Sequence, residues 1–80
     1  MEKELVKFID LFKQLFEDTE IDVFTPECKF KELDEWSSLI ALSIVGMVDE
    51  EYDVSLKGED IKSSETIIDL YKLVISKTNE

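Results

Sequence analysis

Apolar residues near the start of the chain fall three and four apart: Leu5, Phe8, Ile9, Phe12, Leu15 and Phe16. That is the repeat of one helix face, and Lys3, Lys7, Asp10 and Lys13 fall on the other side. The pattern predicts an amphipathic helix from about Glu2 to Glu17. Acids then cluster at Glu17, Asp18, Glu20 and Asp22, and the only proline follows at Pro26. The residue before a proline is pushed out of helical geometry, so Thr25-Pro26 disfavours helix there. Residues 18–36 read as a long loop, with Val23, Phe24, Phe30, Leu33 and Trp36 expected to pin it to the core. Loops of that length are uncommon in small domains and are often functional.

A second helix is expected from Ser37 or Ser38 to about Tyr52. Serine is a strong N-cap because its hydroxyl satisfies a backbone N–H that the helix leaves unpaired. The stretch Ser38 to Val48, SLIALSIVGMV, has no charge. A helix apolar nearly all round is either central in a bundle or partly exposed to a partner. Asp49, Glu50, Glu51 and Asp53 follow, at the end where the helix dipole disfavours negative charge. Residues 57–61 read as a turn with one short helical piece. A last helix starts near Ser64 or Thr66, with Thr66 and Asp69 at capping-box spacing and Ile67, Leu70, Tyr71 and Val74 as its stripe. The tail, residues 77–80, is expected to fray. Strand-like alternation is confined to a weak hint at Tyr52 to Leu56. The expected fold is all-α: a small four-helix bundle of three main helices and one short helix, with a long first loop, in a single domain over residues 1–80.

Charge narrows the chemistry. The 80 residues carry nine lysines, no arginine and 20 acids, a net charge of −11, with no histidine and one cysteine. Without an imidazole there is no Ser-His-Asp or Cys-His set and no Cys/His zinc site. One cysteine closes no internal disulfide, and Cys28, among acids, reads as a plain reduced thiol. A duplex phosphate backbone would repel this surface, so the expected partners are proteins with basic faces, not nucleic acid. The acid clusters lack the spacing of a high-affinity calcium loop, so no metal site is expected. A hydrophobic fraction of 44% still provides for a core. The charged N-terminus does not read as a secretory leader, and the longest uncharged run is too short to span a membrane. The expectation is a monomeric cytoplasmic protein.

The informative segment is Leu33-Asp34-Glu35-Trp36-Ser37-Ser38-Leu39 ahead of the apolar helix. Two serines at a helix start serve as caps, or one of them is an exposed nucleophile that another protein activates. In this segment the chain resembles acyl carrier proteins, whose signature is Asp-Ser-Leu at the start of helix two, often preceded by Trp. Ser37-Ser38-Leu39 aligns with that triplet. Glu51-Tyr52-Asp53 resembles the family's Glu-Phe-Asp, Thr66-Ile67-Ile68-Asp69-Leu70 its Thr-Val-x-Asp-Leu, and Phe30 its loop aromatic eight residues before the carrier serine. The departure is Ser37, where the family usually has Asp.

The resemblance implies a four-helix carrier that is not itself an enzyme. A phosphopantetheinyl transferase would attach 4′-phosphopantetheine to Ser38. The arm would hold acyl groups as thioesters, in fatty acid, polyketide or related acyl transfer. Synthases, ligases or transferases with basic docking surfaces would then take them up. Docking is expected to involve Ser37, Leu39, Ile40, Met47, Asp49, Glu50 and Glu51, with Ile40 pointing outward and Met47 at the edge of the patch. An aminoacyl or peptidyl carrier fits the same motif. An unmodified acidic adaptor that binds a basic protein fits the charge alone.

Overall fold

The computed structural model describes residues 3–78. Helix α1 spans Lys3–Lys13 and buries Leu5, Phe8, Ile9 and Phe12. Two short 3₁₀ turns follow, Ile21–Val23 and Phe30–Glu32. Helix α2 spans Ser38–Tyr52, α3 spans Gly58–Ser63, and α4 spans Ile67–Thr78. No strand occurs among the described residues. Helices α1, α2 and α3 each pack against α4. The fold is the expected small all-α bundle with three longer helices, one short helix and a long first loop.

Every Phe, Tyr and Trp of the chain belongs to one connected network of ring contacts. Phe12 lies at its centre: its ring centroid is 6.0 Å from Phe8, 5.5 Å from Phe16 and 5.2 Å from Phe30. Phe30 in turn meets Trp36 edge-on at 5.4 Å. Such pairs contribute about 0.5–1.5 kcal/mol each beyond the area they bury. In a domain this small, where little surface is removed from water on folding, that increment is a large part of the net stability.

Helix α1 stops four residues before the expected Glu17, and its expected start at Glu2 lies outside the described residues. The reason for the early stop is a competing acceptor. Leu15 and Phe16 close the helix with tight bonds to the Phe12 and Lys13 carbonyls, both 3.1 Å. The next two amides leave the helix altogether: Glu17 and Asp18 donate to the Glu35 carboxylate at 2.8 and 3.0 Å. The Thr19 hydroxyl donates to the same carboxylate at 2.7 Å. Glu35 thus ties the start of the loop to its end. These hydrogen bonds, the one from Thr19 foremost, hold its carboxyl below the ordinary glutamate value.

The loop is anchored by Phe24, Cys28 and Phe30, all buried, with Leu33 and Trp36 half-buried against the core. Val23 is not an anchor. The turn at Ile21–Val23 sends Phe24 inward and leaves Val23 39% exposed. The loop also supplies the start of α4, where the first backbone N–H groups lack helical partners. Ile67 donates to the Cys28 carbonyl at 3.1 Å and Ile68 to the Pro26 carbonyl at 2.9 Å. Thr66 and Asp69 complete the end as a reciprocal box, at 3.2 and 3.1 Å. At the other end, Lys77 and Thr78 do not fray as expected. Thr78 Oγ1 donates to the Ile75 carbonyl at 2.7 Å, and Lys77 lies 4.0 Å from Asp60. Asn79 and Glu80, expected to fray with them, lie outside the described residues. Between α2 and α3, Val54 and Leu56 alternate inward as the weak pattern implied, with no strand to pair with.

The Glu35 clamp has a pH signature. Its folded carboxyl titrates below the ordinary value of 4.5, so its stabilisation is complete above that pH and is lost as pH falls through the lower folded value. Glu35→Gln is expected to melt at a lower temperature than the parent at neutral pH. That gap should shrink steadily on acidification below the ordinary value. Thermal melts of both proteins across an acid titration check it.

Candidate functional site

Trp36 is the last residue the core holds before α2, and the backbone beyond it sorts the two serines. Ser37 is extended, with φ −157 and ψ 170, and its Oγ accepts the Ile40 N–H at 3.3 Å. Ser37 is therefore the N-cap. Ser38 is the first helical residue; it is exposed, and its hydroxyl makes no hydrogen bond among the described residues. With no histidine in the chain, nothing here activates it, so any reaction at Ser38 needs an outside base.

A groove of about 270 Å³ opens beside these serines, between the start of α2 and α3. Trp36, Ala41 and Ile61 give it apolar walls, and Lys31 and Lys62 stand in its lining with Ser37 and Ser38. The Lys31 ammonium donates to the Lys62 carbonyl at 2.8 Å, which fixes it against the end of α3. These two lysines and the groove were not foreseen from the sequence. They come from the loop and from α3, so only the fold brings them to Ser38.

The uncharged stretch of α2 divides into two faces. Ile40, Ile44 and Val48, four residues apart, are buried. Ala41, Val45 and Met47 are half-buried at the margin. Leu39 and Leu42 stand outward, 73% and 68% exposed. The expected outward position of Ile40 is therefore wrong: Ile40 is only 9% exposed. One residue is a 100° turn of the helix, so burying the Ile40 stripe swings Leu39 and Leu42 into solvent. Gly46 lies along the same face, and a Cβ placed there would meet nothing within 4 Å. Asp49 and Glu50 continue this face and are exposed; Glu51 is exposed but lies about a third of a turn away. Asp53, left-handed at φ 55, ends the helix. The outward face is thus apolar near Ser38 and acidic near its far end. Leu42 was legible in principle, since it is three residues on from Leu39.

Cys28 is buried in the core, and burial pushes its thiol above the ordinary value. Among the described residues no group of three or more Cys, Asp or Glu side chains is arranged to hold a metal ion. Among the same residues no helix is long and apolar enough to cross a membrane. No protein-family profile matches the chain, and no curated protein or solved structure matches it.

The two faces of α2 make a sharp contrast. Ile40→Ser removes a buried side chain and leaves a hydroxyl in its place, and should cost about 3 kcal/mol or more. Leu42→Ser should stay within about 0.5 kcal/mol of the parent, as surface changes do. Denaturant melts of the two variants check the assignment.

Proposed function

We propose that the chain is a carrier protein that takes 4′-phosphopantetheine on Ser38 and presents the attached acyl group to other enzymes. The observation that carries the reading is the division of labour between the serines. Ser37 is occupied in capping α2, while Ser38 is exposed with a free hydroxyl at the position the carrier motif assigns to the modified serine. Residues around Ser38 fit an incoming phosphodiester: the adjoining groove has lysines in its lining and no acid. Attachment joins Ser38 Oγ to phosphorus of coenzyme A as the phosphoanhydride bond breaks, and the Ser38 proton leaves to a base on the transferase. Once bound, the arm supplies the thiol on which acyl groups travel.

Ser37 bears on how the transferase meets this site. Aspartate caps a helix as well as serine does, so the change from the family's usual residue keeps the cap and removes one negative charge beside the nucleophile. Docking of acyl-handling enzymes would use Leu39 and Leu42 as the apolar contact in place of Ile40. Asp49 and Glu50 would steer a basic partner onto the same face, an effect on association rate that salt weakens.

Incubation with coenzyme A and a promiscuous phosphopantetheinyl transferase, read by intact mass, tests the proposal. The parent and Ser37→Ala should each gain one phosphopantetheinyl group, and Ser38→Ala none. Labelling that survives Ser38→Ala overturns the assignment. A folded parent that is never labelled supports the acidic adaptor instead.

A further inference from the structure

One residue in four of this chain is acidic, 20 of 80, yet no acid lines the groove beside Ser38. Two of the nine lysines do. The other depressions of the surface differ. One is lined by Asp18, Asp34 and Glu35, and the other mixes Lys29 and Lys31 with Glu32 and Glu65. The groove at Ser38 is thus a positive spot on a strongly negative protein. We propose that Lys31 and Lys62 form a docking site for a phosphate ester carried on Ser38 Oγ, and that the arm beyond it rests in the groove against Trp36 and Ile61 when no partner holds it. The identity of the arm rests on the carrier reading above; the phosphate site does not.

Three features support the site. Lys31 is already held in place by its bond to the Lys62 carbonyl at 2.8 Å, which uses one of its three N–H donors. Its remaining donors need little further ordering to meet an anion. Lys62 forms no ion pair among the described residues. A phosphate ester on Ser38 adds negative charge to a chain at −11, and the lysines in the groove lining are positioned to offset it. Because the arm is bonded to Ser38, its local concentration is high, so even weak contacts populate the docked state. The groove holds about 270 Å³, just under the roughly 300–1,000 Å³ of sites that enclose drug-sized ligands. It suits the first, branched portion of the arm and leaves the thiol end free.

Trp36 is the only tryptophan and lines the groove, so it reports on occupancy directly. Three forms are compared: unmodified protein, protein with phosphoserine built in at position 38, and protein loaded from coenzyme A. In both phosphate-bearing forms the Lys31 and Lys62 ammonium groups should titrate at higher pH by nuclear magnetic resonance. Lys13, paired with Asp10 at 3.0 Å, should not move. Trp36 emission should shift in the loaded form, and Lys31→Gln with Lys62→Gln should abolish that shift while intact mass shows full loading. Lysines that do not respond in the phosphoserine form overturn the phosphate site. A loaded form whose Trp36 emission matches the unmodified protein overturns docking of the arm. If loading itself fails, the carrier reading falls, and the phosphoserine form still decides the lysines.

Discussion

The ring of Phe30 touches both Phe12, on α1, and Trp36, at the threshold of α2. Much else depends on that double contact. It fixes where the loop ends, and so where the backbone of Ser37 turns extended and α2 begins. If the start of α2 slipped by one residue, the stripe of Ile40, Ile44 and Val48 would rotate by about 100° out of the core. Core packing and the placement of Ser38 are therefore one problem with one solution. The aromatic network that extends from Phe12 is the dense part of an otherwise small core.

The long loop acts as scaffold as well as connection. It provides carbonyls for the first amides of α4, a carboxylate for the amides beyond α1, and the aromatic ring that positions Trp36. It does this in a chain whose acids repel one another throughout. The acids nearest the end of α2 are exposed and oppose the helix dipole, so the fold gains nothing from them. Their benefit must lie in encounter with something positive, consistent with an outward α2 face that is apolar at one end and acidic at the other.

Periodicity was enough to place the helices, because each main helix has an apolar stripe that can be buried only one way. It misplaced the end of α1, since the competing acceptor, Glu35, lies 18 residues from Glu17 and no local pattern announces it. It put Val23 inside because apolar type alone does not reveal which way a 3₁₀ turn faces. It put Ile40 outside because α2 is apolar nearly all round, and a helix without a polar side does not declare its orientation. The capping of α4 by Thr66 and Asp69 was legible, being a contact between residues three apart. Lys31 and Lys62 were not, because their meeting at the groove is a product of tertiary packing.

Ser38 is the point on which the functional account turns: a free hydroxyl beside a cap that has its own partner. The most direct measurement is the mass of the protein recovered from the cells that make it, with the modified peptide mapped. The account predicts a phosphopantetheinyl increment confined to Ser38. Protein that is unmodified throughout, or modified at Ser37 or elsewhere with Ser38 free, would contradict it.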